Sequence, residues 1–161
     1  MEIILAENHG FCYGVKRAVE MANEAADSDG KSYTLGPIIH NPQVVGRLES
    51  KGVSPIQEVS DIDEGTMIIR SHGVGPAIYE EAEEKGLNIL DATCPHVKKA
   101  QQDAKSVIED GMTLVILGEK NHPEVKSINL WANNKGIIIE DEESAQKLQV
   151  VEKMGVVVQT T

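Results

Sequence analysis

The sequence lacks long hydrophobic runs. Its longest apolar stretches, residues 136–139 and 155–158, are far shorter than the roughly 18 residues that a membrane-spanning helix needs, so we expect no membrane segment. The first seven residues also lack the basic start and the small-residue cleavage site of a secretory signal. Together these absences predict a cytoplasmic protein.

Basic residues are scarce. There are 15 Lys and Arg residues against 26 Asp and Glu residues, which gives a net charge of -11 at pH 7. A surface of this sign repels polyanions, so we expect no nucleic acid among the partners. An anionic substrate would need a local cluster of donors that overcomes the surrounding negative field.

Cysteine is scarce as well, since Cys12 and Cys94 are the two in the sequence. They lie far apart in the chain and a reducing compartment disfavours a disulfide, so each cysteine needs its own explanation. Apolar residues (40%) and charged residues (25%) are balanced as in soluble globular proteins, and 161 residues suffice for one domain or two small ones.

Short apolar runs alternate with longer segments of helical periodicity, which predicts an α/β fold of repeated strand-helix units around parallel sheets. The predicted strands are residues 3–6, 32–35, 66–70, 88–90, 113–117, 136–139 and 156–159. The predicted helices are residues 15–26, 42–51, 76–85, 95–109 and 123–133. The last four begin with proline, a residue favoured in the first turn.

Three of these units form a weak internal repeat that is aligned on histidine. His40, His72 and His122 each follow a predicted strand and precede a helix, which places them at the edge of an α/β sheet where ligands bind. Each of the three helices is predicted to end at a Lys-Gly pair, namely Lys51-Gly52, Lys85-Gly86 and Lys135-Gly136. We predict a boundary near Thr93, between a first domain over residues 1–93 and a second, incomplete domain over 94–161.

Both cysteines are predicted to lie in turns between a strand and a helix, within Gly10-Phe11-Cys12-Tyr13-Gly14 and Asp91-Ala92-Thr93-Cys94-Pro95. The positive end of a helix favours a thiolate, which is the form that binds metals. A small buried residue in a tight turn is the alternative explanation for each. Two thiolates cannot by themselves complete an iron-sulfur site.

The three histidines offer imidazole donors beside helix N-termini, which already attract phosphate through oriented N–H groups. Each exposed helix end contributes about 0.3–1 kcal/mol to anion binding, so three such ends with their imidazoles could hold a diphosphate. A single histidine before a helix is more often a cap or turn residue, but three in register weaken that explanation.

Glu124 follows His122-Pro123 in the first turn of a predicted helix. It is either a carboxylate that stabilises the helix end or, beside a bound anion, a proton donor. Thr160 ends a predicted strand, where it could carry a hydroxyl into the same region or reflect β propensity alone.

These motifs occur in the order and at the spacings of the 4-hydroxy-3-methylbut-2-enyl diphosphate reductase family, which the whole chain resembles. Any one motif is weak, whereas the cysteine, histidine and glutamate motifs together are highly specific. The matching segments are Gly10-Phe11-Cys12-Tyr13-Gly14-Val15, His40-Asn41, Ser71-His72-Gly73-Val74, Asp91-Ala92-Thr93-Cys94-Pro95, His122-Pro123-Glu124-Val125 and Gln159-Thr160-Thr161.

The resemblance implies a trefoil of three small α/β domains around a 4Fe-4S cluster, with one cysteine from each domain and one open iron. Cys12 and Cys94 match two of these metal ligands. The other site residues that it implies, three that bind the substrate diphosphate and two that act in catalysis, are His40, His72 and His122, and Glu124 and Thr160.

The resemblance also implies the reaction. Two electrons from ferredoxin or flavodoxin remove the hydroxyl group of an allylic diphosphate as water, which yields isopentenyl or dimethylallyl diphosphate in the non-mevalonate isoprenoid pathway. Family members are expected to be about twice this length, because they have three domains. With the third domain and third cysteine absent, we expect the chain alone to be inactive and to hold no stable intact cluster.

Two alternatives stay open at this point. One is a non-redox module that binds phosphorylated ligands through the histidine turns. The other is a zinc protein that uses Cys12, Cys94 and a histidine, although these residues lack the short ligand spacing of most zinc sites.

Overall fold

The structure is a computed structural model and describes residues 2–7 and 9–160. Within these residues, two parallel sheets organise the chain. The first has the order β2-β1-β3-β4 and consists of β1 (Ser32–Leu35), β2 (Val53–Ile56), β3 (Thr66–Ile69) and β4 (Asn88–Asp91). The second has the order β6-β5-β7 and consists of β5 (Thr113–Leu117), β6 (Ile137–Ile139) and β7 (Met154–Val158).

Helices connect the strands, so the predicted α/β fold with parallel sheets is confirmed. They are α1 (Tyr13–Ala26), α2 (Pro42–Ser50), α3 (Pro76–Glu84), α4 (Pro95–Glu109), α5 (Pro123–Trp131) and α6 (Glu142–Gln146), with a 3-10 turn at Val59–Asp61. The prediction that α2, α3, α4 and α5 begin with proline is also confirmed. No helix in the described part of the chain is long and apolar enough to cross a bilayer.

Strand β3 is buried on both faces, which explains its continuous apolar sequence. Ile68 belongs to an apolar cluster with Ala18 and Ala22 of α1. Met67 and Ile69 belong to a second cluster, which includes residues of α3. Helices α1 and α3 therefore cover opposite faces of the first sheet.

The second sheet is covered by α4 and α5. Leu114 and Ile116 of β5 share an apolar cluster with Ala104 of α4 and with Val125 and Ile128 of α5. Helix α4 begins directly after β4 of the first sheet but packs on β5 and β7 of the second. It therefore links the two sheets.

A polar seam joins the two halves of the chain around the loop after β3. The carbonyl oxygen of Val74 accepts hydrogen bonds from Trp131 Nε1 at 2.9 Å and from Ser127 Oγ at 3.4 Å. Ser127 Oγ in turn accepts from Gln101 Nε2 of α4 at 2.5 Å. Ser127 and Gln101 are buried, so these bonds satisfy polar atoms that water cannot reach. The seam holds the loop that follows His72 against α5.

The strand predicted at residues 3–6 is wrong. Within the described residues no strand forms there, and the side chains of Ile3, Ile4 and Leu5 are exposed. Alternating or apolar sequence gives a strand only where a neighbouring strand accepts and donates its backbone hydrogen bonds, and no described strand lies beside this segment.

The predicted Lys-Gly helix end is confirmed for α2 and α3 and is wrong for α5. Gly52 and Gly86 adopt left-handed φ angles of 91° and 70° directly after α2 and α3. After α5 the left-handed residues are instead Asn133 and Asn134, with φ of 54° and 57°. Asparagine tolerates this conformation better than other non-glycine residues. Gly136 is required for a different reason, because a Cβ there would lie 2.6 Å from the Ile116 side chain.

Strand β2 and helix α6 were not predicted. Strand β2 contains Pro55, which argues against a strand, but β2 is at the edge of its sheet, where a missing N–H leaves no neighbour without a partner. The predicted domain boundary near Thr93 falls between β4 and α4, and the division into two domains stays a prediction.

Replacement of Gly73 by alanine tests the seam. Gly73 and Gly86 both have φ of 70°, so each alanine pays about 1–2 kcal/mol for a left-handed backbone. A Cβ at Gly73 would also collide with the Gln101 amide and lie 3.0 Å from Thr93, whereas one at Gly86 meets nothing within 4 Å. We expect Gly73→Ala to lower the free energy of unfolding by about 1–3 kcal/mol more than Gly86→Ala, measured by urea unfolding. Equal losses would show that the seam tolerates the extra methyl group.

Candidate functional site

The structure brings the three predicted histidines together. The ring centroids of His40 and His72 are 4.6 Å apart, those of His72 and His122 are 5.3 Å apart, and those of His40 and His122 are 6.1 Å apart. One ring nitrogen from each lies within 4.8 Å of the others. We call these three residues the imidazole trio.

Each member of the trio is delivered by a strand end. Strands β1 and β3 pair in parallel, so the loops that carry His40 and His72 leave the same edge of the first sheet. His122 follows β5 of the second sheet and is the N-cap residue of α5. It reaches the other two because the seam around Val74 ties α5 to the loop after His72.

His72 is the buried member of the trio, with 5% of its surface exposed. Burial, followed by the nearby His40, His122 and Arg70, lowers the pKa of its imidazole from 6.5 to about 4. At neutral pH His72 is therefore uncharged. Its Nδ1 atom is buried without a hydrogen-bond partner among the described residues.

Cys12 and Cys94 line the same cavity, which measures about 250 Å³ and also borders His40, Ser71 and His72. Cys12 is exposed, Cys94 is buried, and neither is in a disulfide. Each is the N-cap residue of a helix, α1 or α4, and neither side chain is used as a cap. Both sulfur atoms are thus available to a ligand at the positive end of a helix.

The turn that carries Cys94 is fixed by three contacts. The backbone N–H of Cys94 donates to the Ser71 carbonyl at 2.9 Å, which sets it beside the His72 turn. Arg17 of α1 donates to the Thr93 carbonyl at 3.2 Å. The backbone of Gly14 lies so close that a Cβ there would be 2.5 Å from the Cys94 sulfur. The turns of Cys12 and Cys94 are therefore held together even though no covalent bond joins them.

Glu124 is fully buried and lies beside Thr160. Its Oε1 atom accepts hydrogen bonds from the Thr160 backbone N–H at 2.7 Å and from the Thr160 hydroxyl at 2.8 Å. Its own backbone N–H donates to His122 Nδ1 at 3.2 Å. The carboxyl group, the hydroxyl group and the imidazole trio thus form one connected arrangement. A buried carboxyl group in such an arrangement is suited to proton transfer.

Three residues at the site were assigned no role from the sequence. Ser71 is buried and lines the cavity, Asn41 caps α2 by accepting from the Val44 N–H at 3.1 Å, and Arg70 acts on the charge state of His72. Their adjacency to His40 and His72 was the available signal.

Two further histidines lie apart from the trio. His9 and His96 are exposed, and neither belongs to the trio. The zinc alternative receives no support from the described residues, because the group of possible metal ligands found among them is the imidazole trio, which contains no cysteine.

Comparison with known proteins places the chain in a family. The family described as LytB protein matches residues 3–161. The chain belongs to this family. It is 52% identical over 161 residues to the 4-hydroxy-3-methylbut-2-enyl diphosphate reductase of Geotalea uraniireducens and 51% identical to that of Geobacter metallireducens, and it is covered completely in both cases.

Two solved structures extend the match to the LytB fold. A structure of (E)-4-hydroxy-3-methyl-but-2-enyl diphosphate reductase, the terminal enzyme of the non-mevalonate pathway, has a TM-score of 0.86 at 48% identity and covers 99% of this chain. The Plasmodium falciparum reductase has a TM-score of 0.91 at 33% identity and covers 96% of it. The chain spans 57% of the length of the two bacterial relatives and 58% and 50% of the two solved chains.

The charge state of His72 makes a prediction for stability. Because its pKa is about 4 in the folded chain and 6.5 when unfolded, the unfolded state binds more protons between these values. The free energy of unfolding is therefore unaffected by protonation of His72 above pH 6.5 and falls as the pH is lowered towards 4, because the folded state resists protonation of this residue. In measurements of the free energy of urea unfolding as a function of pH, we expect this loss in the unmodified chain and in His96→Asn. In His72→Asn, the slope of the unfolding free energy against pH should be smaller by an amount that corresponds to up to about one proton. An unchanged slope in His72→Asn would contradict the neutral buried imidazole.

Proposed function

We propose that this chain provides the diphosphate site and two cluster ligands of a 4-hydroxy-3-methylbut-2-enyl diphosphate reductase, a reductase of the non-mevalonate isoprenoid pathway. The observation that supports this most directly is that two members of the imidazole trio, His40 and His72, line the same cavity as Cys12 and Cys94. A phosphate-binding group and a pair of free thiols at one site fit a substrate that is both phosphorylated and reduced.

The trio binds the diphosphate in this proposal. Ring N–H groups donate hydrogen bonds to phosphate oxygens, and the N-termini of α2, α3 and α5 add oriented dipoles of the same sign. This local set of donors opposes the net charge of -11. Neutral His72 contributes a hydrogen bond without the cost of burying a second full charge.

The two cysteines fit the proposed 4Fe-4S cluster as two of three protein ligands. Both thiols are free, both precede a helix, and both border one cavity, as ligands of a shared cluster must. The sequence contains no third cysteine. When bound, the cluster would supply electrons and a Lewis-acidic iron to the substrate hydroxyl. We propose a third domain in a trefoil as the source of the remaining ligand, and ferredoxin or flavodoxin as the electron donor.

Glu124 and Thr160 supply one of the two protons of the reaction in this proposal. Removal of the hydroxyl group as water with formation of a C–H bond consumes two electrons and two protons. The Thr160 hydroxyl already donates to the Glu124 carboxylate at 2.8 Å. A protonated Glu124 can pass its proton to the Thr160 oxygen while the Thr160 proton moves to the substrate, so the hydroxyl relays the proton from a carboxyl group that water does not reach.

A non-redox module that binds phosphorylated ligands would also use the imidazole trio. The free cysteines at the same cavity favour the reductase. The cytoplasmic location inferred from the sequence stays a prediction.

Binding of inorganic pyrophosphate tests the diphosphate site. His40 is exposed, so His40→Asn should leave the fold intact and remove one donor. We expect its dissociation constant, measured by isothermal titration, to rise about tenfold, since a hydrogen bond to a charged group contributes about 1.5–3 kcal/mol. His96→Asn, at an exposed histidine outside the trio, serves as the matched control and should bind as the unmodified chain does. Equal affinity in both variants would contradict the proposed diphosphate site.

Anaerobic reconstitution with iron and sulfide tests the cluster proposal. We expect the 161-residue chain to develop thiolate-to-iron absorption that is lost on desalting, and to show no turnover of the allylic diphosphate. In Cys12→Ser, Cys94→Ser the absorption should be absent from the start. Robust turnover by the pure chain, or equal absorption in the double variant, would contradict the proposal.

A further inference from the structure

His122 carries a hydrogen bond that limits which ligands the trio can accept. As the N-cap residue of α5, it accepts a hydrogen bond at Nδ1 from the backbone N–H of Glu124, at 3.2 Å. Pro123 has no N–H, so the Glu124 amide is the first N–H donor of the helix. The Nδ1 atom is therefore used inside the protein, and Nε2 is the nitrogen left for a ligand.

This bond fixes the tautomer of the ring. A neutral imidazole carries one proton, on either Nδ1 or Nε2. A proton on Nδ1 of His122 would point at the amide hydrogen of Glu124, whereas a proton on Nε2 leaves Nδ1 free to accept. In the folded chain the proton of neutral His122 thus lies on Nε2, which makes this nitrogen a donor.

We infer that the backbone amide of Glu124 is a positioning group that fixes His122 as an Nε2–H donor and thereby makes the imidazole trio select an oxyanion over a divalent metal ion. The tautomer follows from the hydrogen bond at the start of α5 and does not depend on any ligand. The choice of an oxyanion rests on the diphosphate role proposed above.

Spacing by itself does not exclude a metal. The ring nitrogens lie within 4.8 Å of one another, and a tetrahedral zinc site with bonds of about 2.0–2.1 Å would need them to close to about 3.3–3.5 Å. A metal, however, takes the lone pair of an unprotonated nitrogen. To offer Nε2 to a metal, His122 must move its proton to Nδ1 and break the hydrogen bond from Glu124.

Two members of the trio also lack the partners of a metal site. A metal-bound imidazole usually donates its other N–H to a carboxylate or carbonyl oxygen. His122 Nδ1 meets a donor instead, and the buried Nδ1 of His72 has no hydrogen-bond partner in the described part of the chain. These two rings therefore lack the acceptors that would orient imidazoles on a metal.

Nuclear magnetic resonance of histidine ring nitrogens tests the tautomer in the 161-residue chain. We expect the His122 signal, assigned by its loss in His122→Asn, to show a protonated Nε2 and an unprotonated Nδ1 at neutral pH. A protonated Nδ1, or equal populations of both tautomers, would overturn the inference whether or not pyrophosphate binds.

Ligand binding to His122→Asn tests the selectivity. Asparagine is a strong N-cap residue, so this variant can keep the Glu124 bond and the helix start while losing Nε2. We expect an unchanged melting temperature, pyrophosphate binding weakened about tenfold, and Co²⁺ binding to chain stripped of metal unchanged within about twofold, with His96→Asn as the control.

Each result has a distinct meaning. Co²⁺ absorption bands that disappear in His122→Asn would place a metal on the trio and overturn the inference. Unchanged pyrophosphate affinity in that variant, together with the Nε2–H tautomer, would overturn the diphosphate role and the selectivity while leaving the tautomer intact. If His122→Asn has a lower melting temperature, His40→Asn separates the loss of a ligand donor from the loss of a helix cap. His40 is not an N-cap residue, because α2 is capped by Asn41.

Discussion

The site depends on the hydrogen bonds that α5 donates to one carbonyl oxygen. Trp131 and Ser127, both on α5, donate to the carbonyl of Val74, which lies two residues beyond His72. The first turn of the same helix carries His122 and Glu124. His72 follows a strand of the first sheet and His122 follows a strand of the second. The contact with Val74 therefore brings residues from two separate sheets together in the imidazole trio. Parallel pairing of β1 and β3 accounts for His40 and His72, but it cannot account for His122.

Much of this arrangement could be predicted from local sequence. Strands β1 and β5 and helix α4 have the predicted bounds, because short apolar runs, first-turn prolines and terminal glycines act within a few residues. The same logic placed the three histidines and Cys94 at strand-helix junctions, whereas Cys12 precedes α1 without a described strand before it. Parallel strands end at a common edge, so convergence within one sheet was predictable.

The rest depended on contacts between distant segments. Residues 3–6 have the composition of a strand, but no described strand pairs with them, and Pro55 argues against a strand that an edge position permits. The seam joins Gln101, Ser127 and Val74, none of which has a distinctive sequence pattern. The tautomer of His122 also escapes sequence reasoning, since it requires the direction of one N–H bond.

The close approach of Gly14 to Cys94 has a consequence for how the sequence can vary. A side chain at position 14 would occupy the space of a sulfur atom that lies far along the chain. Position 14 is therefore constrained by Cys94 although glycine has no chemistry of its own to offer. In a mutational scan, a substitution at Gly14 should disturb the position of the Cys94 side chain before it weakens the helix. Within the segment Gly10-Phe11-Cys12-Tyr13-Gly14, the glycine at position 14 thus allows the turn of Cys12 to lie close to the turn of Cys94.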